Sequence, residues 1–125
     1  MTESTITMEK DHDLIASSRV EGTPVFGQDG EKLGAVKDII LNKKTGKVAY
    51  TIMSFGGFLG LGELYHPLPW DVLDYDPEKH GFVVNIDKEV LRNAPTYGPE
   101  EVHRLSDRVF LGGIFDYYGI APYWL

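Results

Sequence analysis

The stretch Gly56-Gly57-Phe58-Leu59-Gly60-Leu61-Gly62 is the first place in this chain where residue type and spacing suggest chemistry. Glycine-rich loops hold phosphate when their backbone N–H groups converge at the start of a helix. Here the next residues are Tyr65-His66-Pro67-Leu68-Pro69, which are extended rather than helical, and no Lys-Ser/Thr pair closes the motif. The loop therefore reads as a tight connection between strands, with Phe58 and Leu59 at its tip as a contact for a partner. Nucleotide or small-ligand binding through this loop stands as an alternative.

Glu63 and His66 are spaced E-x-x-H. On a helix that spacing puts both groups on one face and can build a metal site. On a strand, residues three apart face opposite sides. The four histidines, His12, His66, His80 and His103, fall on a tail, a strand, a turn and a helix. Asp71, Asp74, Asp76 and Glu78 form an acidic run without the glycine turn and ligand order of a calcium loop. They read as solvated charge around one end of the domain. Ser17, Ser18, Ser54 and Ser106 lack the surroundings of a nucleophile. The expectation is no catalytic residue, no metal and no cofactor.

The C-terminal aromatics carry the strongest signal. Phe115, Tyr117, Tyr118, Tyr123 and Trp124 leave much apolar area needing cover. Three destinations are open: the chain's own barrel, a second subunit, or a membrane surface. Few basic residues flank the segment to hold anionic lipid, so direct membrane insertion is not expected. Tyr and Trp suit interfaces, and a second copy is the expected partner. Val102, Leu105 and Val109 fall at helical spacing just before the aromatics and extend the candidate contact.

Composition narrows the classes further. The chain has 125 residues, no cysteine and a net charge of −7. One domain with appendages fits that length. Thiolate catalysis, disulfides and zinc–sulfur sites are excluded. The acidic balance repels phosphate backbones, so nucleic acid is not an expected partner. No apolar run reaches the roughly 20 residues needed to span a bilayer. Residues 1–13 are polar and unlike a signal peptide, so they are read as a flexible tail on a cytoplasmic protein.

Short strands separated by turns must position all of these groups. The pattern predicts strands over Val20–Phe26, Leu33–Leu41, Val48–Ser54, Leu64–Trp70, Val72–Tyr75 and Phe82–Ile86. Asp29-Gly30 reads as a two-residue type I′ hairpin turn. The apolar end of the second strand reads as buried on both faces. Pro67 and Pro69 cannot donate ladder bonds, which sends the fourth strand to an edge or near a bulge. Asp87 caps a short helix over Lys88–Asn93. A second helix is expected over Glu100–Leu111, with Gly112-Gly113 ending it.

The order of these motifs resembles the PRC-barrel family across roughly Ile15 to Asn93. The resemblance rests on Asp29-Gly30-Glu31 with Leu33-Gly34, Val36 with Asp38, Gly46-Lys47-Val48 with Tyr50, the glycine loop, and Pro69-Trp70 with Leu73. It implies a small antiparallel β-barrel of about six strands, an all-β domain over 14–94, and a helical and aromatic appendage over 95–125. It also implies a protein-interaction module rather than an enzyme. Members include the barrel of the photosynthetic reaction-centre H subunit and the C-terminal domain of a ribosome-maturation factor. The chain lacks the transmembrane helix of the first and the N-terminal domain of the second, and looks most like free-standing members. By analogy with the H subunit, an alternative role is a cytoplasmic accessory of a membrane electron-transfer complex, where surface acids assist proton entry. The leading expectation is a homodimeric scaffold whose aromatic segment packs between subunits and can be removed without unfolding the barrel.

Overall fold

A computed structural model describes residues 14–55 and 64–124. Residues 1–13 and the glycine-rich loop with Phe58 and Leu59 lie outside the described residues. Among the described residues six strands form one curled sheet, a half-barrel: β1 Pro24–Phe26, β2 Lys32–Leu41, β3 Val48–Phe55, β4 Leu64–Pro69, β5 Leu73–Asp76 and β6 Gly81–Val84. Their order across the sheet is β4-β3-β2-β1-β6-β5. All pairings are antiparallel except β1 with β6, where Val25 lies opposite Phe82 in parallel register. The expected all-antiparallel barrel is therefore a mixed sheet. The parallel pair joins strands distant in sequence, which local turn chemistry does not reveal.

Three α-helices among the described residues accompany the sheet: α1 Ser17–Val20, α2 Lys88–Arg92 and α3 Arg108–Tyr118. Val20, expected in the first strand, ends α1, and the strand shrinks to three residues. Asp87 caps α2 as expected, its Oδ1 accepting from the Glu89 N–H at 2.8 Å. A 3-10 turn over Trp70–Val72 links β4 to β5, and another over Pro99–Ser106 precedes α3. Among the described residues no helix is long and apolar enough to cross a membrane.

The Asp29-Gly30 turn differs from expectation. Gly30 takes a positive φ of 85° but Asp29 does not, so the two-residue type I′ geometry is ruled out. The connection is longer. Gly30 N–H donates to Gly27 O, Gly27 N–H to Glu31 O, and Asp29 Oδ1 accepts from Glu31 N–H. The β2–β3 crossing requires a residue without a side chain at Gly34, where a Cβ would stand 2.0 Å from Ser54 O.

Two apolar cores lie on opposite faces of β3. The inner core holds Val25, Val36, Met53, Leu68, Phe82 and Val84, closed by Val20 of α1 and Leu91 of α2. The outer core joins Ala49, Tyr50 and Ile52 of β3 to Tyr97, Leu111 and Phe115. Each such buried side chain contributes about 1.5–3 kcal/mol by leaving water. β3 is thus the strand buried on both faces. The apolar end of β2, expected in that role, has Ile39 and Ile40 half-buried and Leu41 exposed. The reason is position: the C-terminal segment covers β3 and β4, and β2 lies one strand further away.

Candidate functional site

The C-terminal segment begins by closing the edge of the sheet. In β4 the backbone polar groups of alternate residues face outward, and those residues are Tyr65, Pro67 and Pro69. Two of the three have no N–H. The third, Tyr65, exchanges hydrogen bonds with Tyr97 in both directions at 3.0 Å. Burial pushes the Tyr97 phenol up to about 12, and the neighbouring Tyr65 and Asp38 add to the rise.

Next the chain crosses the outer face of β3. Gly98 N–H donates to Glu101 Oε1 at 3.1 Å, setting the start of the 3-10 turn. Tyr50, on β3, donates its hydroxyl to Leu105 O at 2.5 Å. Burial raises its pKa well above the usual phenol value, so it stays a neutral donor. Asp107 then caps α3, its Oδ1 accepting from Val109 N–H at 2.9 Å and Phe110 N–H at 3.3 Å. The expected single helix over Glu100–Leu111 is therefore two elements. Asp107 ahead of an apolar run is the sequence signal for the break.

The helix also stops later than expected. Gly112 and Gly113 lie inside α3, and the stop is Gly119 at φ 69°. Ile120 N–H donates to Phe115 O and Gly119 N–H to Asp116 O, the paired bonds of a Schellman ending. Ile120 and Phe115 meet in the outer core, which supplies the apolar contact of that motif. A left-handed residue was needed only after Tyr118, so the earlier glycines do not end the helix.

These bonds decide what each candidate contact residue can do. Phe115 is buried, with Leu105 half-buried beside it in the outer core. Tyr118 is half-buried against the inner core, and its hydroxyl has no partner. Trp124 is half-buried, its ring 6.1 Å from Phe115 and 5.1 Å from the Arg108 guanidinium. Tyr123 and Tyr117 are exposed, and Tyr117 donates its hydroxyl to Val90 O at 2.5 Å. Val109 is 87% exposed. Val102 lies in the 3-10 turn, separated from Val109 by the break at Asp107. The aromatics therefore do not form one free surface. Most of them fold back onto β3.

His66 does not face a site shared with acidic groups. It is buried in β4, its ring 5.1 Å from Phe55, and its Nδ1 has no partner. Burial pulls its pKa down to about 4, so the imidazole is neutral at pH 7. Glu63 lies outside the described residues. Asp76 Oδ1 is occupied by Glu78 N–H in the turn after β5. No group of three His, Asp or Glu side chains among the described residues is placed to hold a metal ion.

A cleft of about 320 Å³ remains at the seam between the sheet and the C-terminal segment. One wall is the β2–β3 hairpin, with Asn42, Thr45 and Lys47. The tip is well held. Asn42 Oδ1 accepts from the N–H groups of Lys44 and Thr45, and Asn42 N–H donates to Lys47 O at 2.9 Å. Trp70 and Asp71, at the end of β4, form a second wall. Phe115, Ile120 and Tyr123 form the third. Sequence reasoning missed this cleft because its walls come from three distant segments.

The PRC-barrel domain model matches residues 12–91. Among solved structures, a chain assigned as the 16S ribosomal RNA processing protein RimM of Pseudomonas aeruginosa is similar, at 19% identity and a TM-score of 0.41. That match covers 62% of this chain and 48% of the other, so this chain spans about half the length of its structural relative. No curated protein matches the sequence.

Proposed function

Because the chain belongs to the PRC-barrel family, we propose that it is a non-catalytic protein-interaction module that self-associates through the outer face of α3. This contact is narrower than the whole aromatic segment, since Phe115 is buried and Trp124 packs against the outer core within the chain. What supports the reading is Val109, an aliphatic side chain 87% exposed on a helix whose opposite face is buried. Val109, Gly113 and Tyr117 are spaced by four residues and lie in one row. The row continues onto Val90 of α2, where the Tyr117 hydroxyl is anchored. A methyl group placed on Gly113 would meet nothing within 4 Å, so a second helix can approach the backbone there closely.

The two-fold version of this contact lays α3 of one copy across Gly113 of the other, with each Val109 reaching the partner's α3 near its C-terminal end. The test is the solution mass of the full chain over a dilution series, beside Val109→Lys. The substitution sits at an exposed position and should leave the fold intact. A dimer that becomes a monomer in the variant supports the reading. Equal masses for both chains at every concentration would overturn it.

A further inference from the structure

Lys47 and Asp71 both line the cleft beside the C-terminal segment. They form no ion pair with each other or with another described residue. Trp70, Phe115, Ile120 and Tyr123 line the same cleft and give it an apolar, largely aromatic surface. A cation, an anion and an aromatic surface in one small cleft match a ligand with the same three parts. We propose that this cleft binds a free amino acid with an aromatic or large aliphatic side chain. Its carboxylate meets Lys47 Nζ, its ammonium meets the Asp71 carboxylate, and its side chain lies on the aromatic surface.

Three observations support that assignment. The volume, about 320 Å³, is at the lower end of small-molecule sites and is enough to admit one amino acid. The walls are held in advance. The hairpin tip is fixed by Asn42 and by Thr45 Oγ1, which accepts from Lys47 N–H at 3.2 Å. The opposite wall is fixed by the Schellman ending at Gly119 and by Tyr123, whose ring lies 5.9 Å from Phe115 and 6.3 Å from Tyr50. Little ordering is then left to oppose binding. Finally, Lys43, Lys44 and Lys47 gather three positive charges at one tip of a chain of net charge −7, which draws a carboxylate to this end of the molecule.

The experiment follows backbone amide NMR shifts of the full chain during titration with L-phenylalanine. Three comparison compounds each lack one part: phenethylamine the carboxylate, 3-phenylpropionate the ammonium, and glycine the side chain. The expected result is saturable shifts at Val48, Ala49, Asp71 and Ala121, with each comparison compound weaker by about tenfold or more. Lys47→Met should remove the preference for phenylalanine over phenethylamine, and Asp71→Asn the preference over 3-phenylpropionate. Both residues are exposed, and unchanged spectra of the free variants will show that the fold is kept. No saturation up to about 10 mM, shifts centred elsewhere, or equal binding of all four compounds would overturn the proposal.

Discussion

Tyr65 and Tyr97 exchange both of their backbone hydrogen bonds, N–H to carbonyl in each direction at 3.0 Å. Together with Pro67 and Pro69 this bridge closes the free edge of β4. A bare edge strand is a template for unwanted pairing, and here the outward N–H groups are either missing or occupied. The residues after Pro95 are therefore part of the fold as well as an appendage to it.

A chain ending at Ala94 should then not remain a well-packed barrel. It loses the partner of Tyr65 and uncovers Ala49, Tyr50 and Ile52. Thermal unfolding followed by near-UV circular dichroism should become broad, with dye binding to exposed apolar surface. A sharp transition at the midpoint of the full chain would show that the segment is dispensable.

The glycines of α3 should respond in opposite directions. Gly113 is exposed, helical and unobstructed, so Gly113→Ala should stabilise the chain by about 1 kcal/mol. Gly119 sits at φ 69°, where a Cβ is strained, so Gly119→Ala should cost about 1 kcal/mol. Urea unfolding of the two variants, measured in the Val109→Lys background to keep self-association out of the comparison, checks both signs.

Gly34→Ala should be the most damaging single methyl addition. The new carbon would stand 2.0 Å from Ser54 O, a backbone atom in the β2–β3 ladder that cannot rotate away. A loss of about 3 kcal/mol is expected from overpacking of this kind. Urea unfolding gives the value, and a loss below about 1 kcal/mol would mean the ladder can shift to admit the methyl.

His66 should make the fold acid-sensitive. Its folded pKa is about 4, against 6.5 for the free side chain. Well above pH 6.5 it is neutral in both states and contributes no pH dependence. As pH falls below 6.5 the unfolded chain takes up a proton that the folded chain refuses, so stability drops, and the drop levels off near pH 4. The full effect is about 3 kcal/mol. The difference in unfolding free energy between wild type and His66→Phe, measured from pH 7 to pH 4, isolates it from the carboxylates. A pH-independent difference would mean that His66 protonates without strain.

Self-association through α3 should strengthen as salt is added. Each copy carries −7, and two such chains repel at low ionic strength. Raising sodium chloride from about 0.05 M to about 0.5 M shortens the screening length several-fold and should lower the dissociation constant. Sedimentation equilibrium at both salts checks the direction.

Much of this protein was legible in its sequence. Alternation and turn residues place the six strands to within a few residues, because pleat and turn geometry are local properties. Pro67 and Pro69 send β4 to an edge because a residue without an N–H cannot serve an inner ladder. Asp87 marks α2 by the same local logic, and the motif order points to the PRC-barrel family. What the tertiary structure alone decided are relationships between distant segments. These include the parallel pairing of β1 with β6, the burial of β3 rather than β2 on both faces, and the cleft between Lys47, Asp71 and Tyr123. The aromatic residues announce that their area must be covered, since exposed rings are unfavourable in water. Composition carries no information about which surface covers them. The chain itself decides that, by bringing Phe115 and Tyr97 against Tyr50 and Ile52 on the outer face of its own sheet.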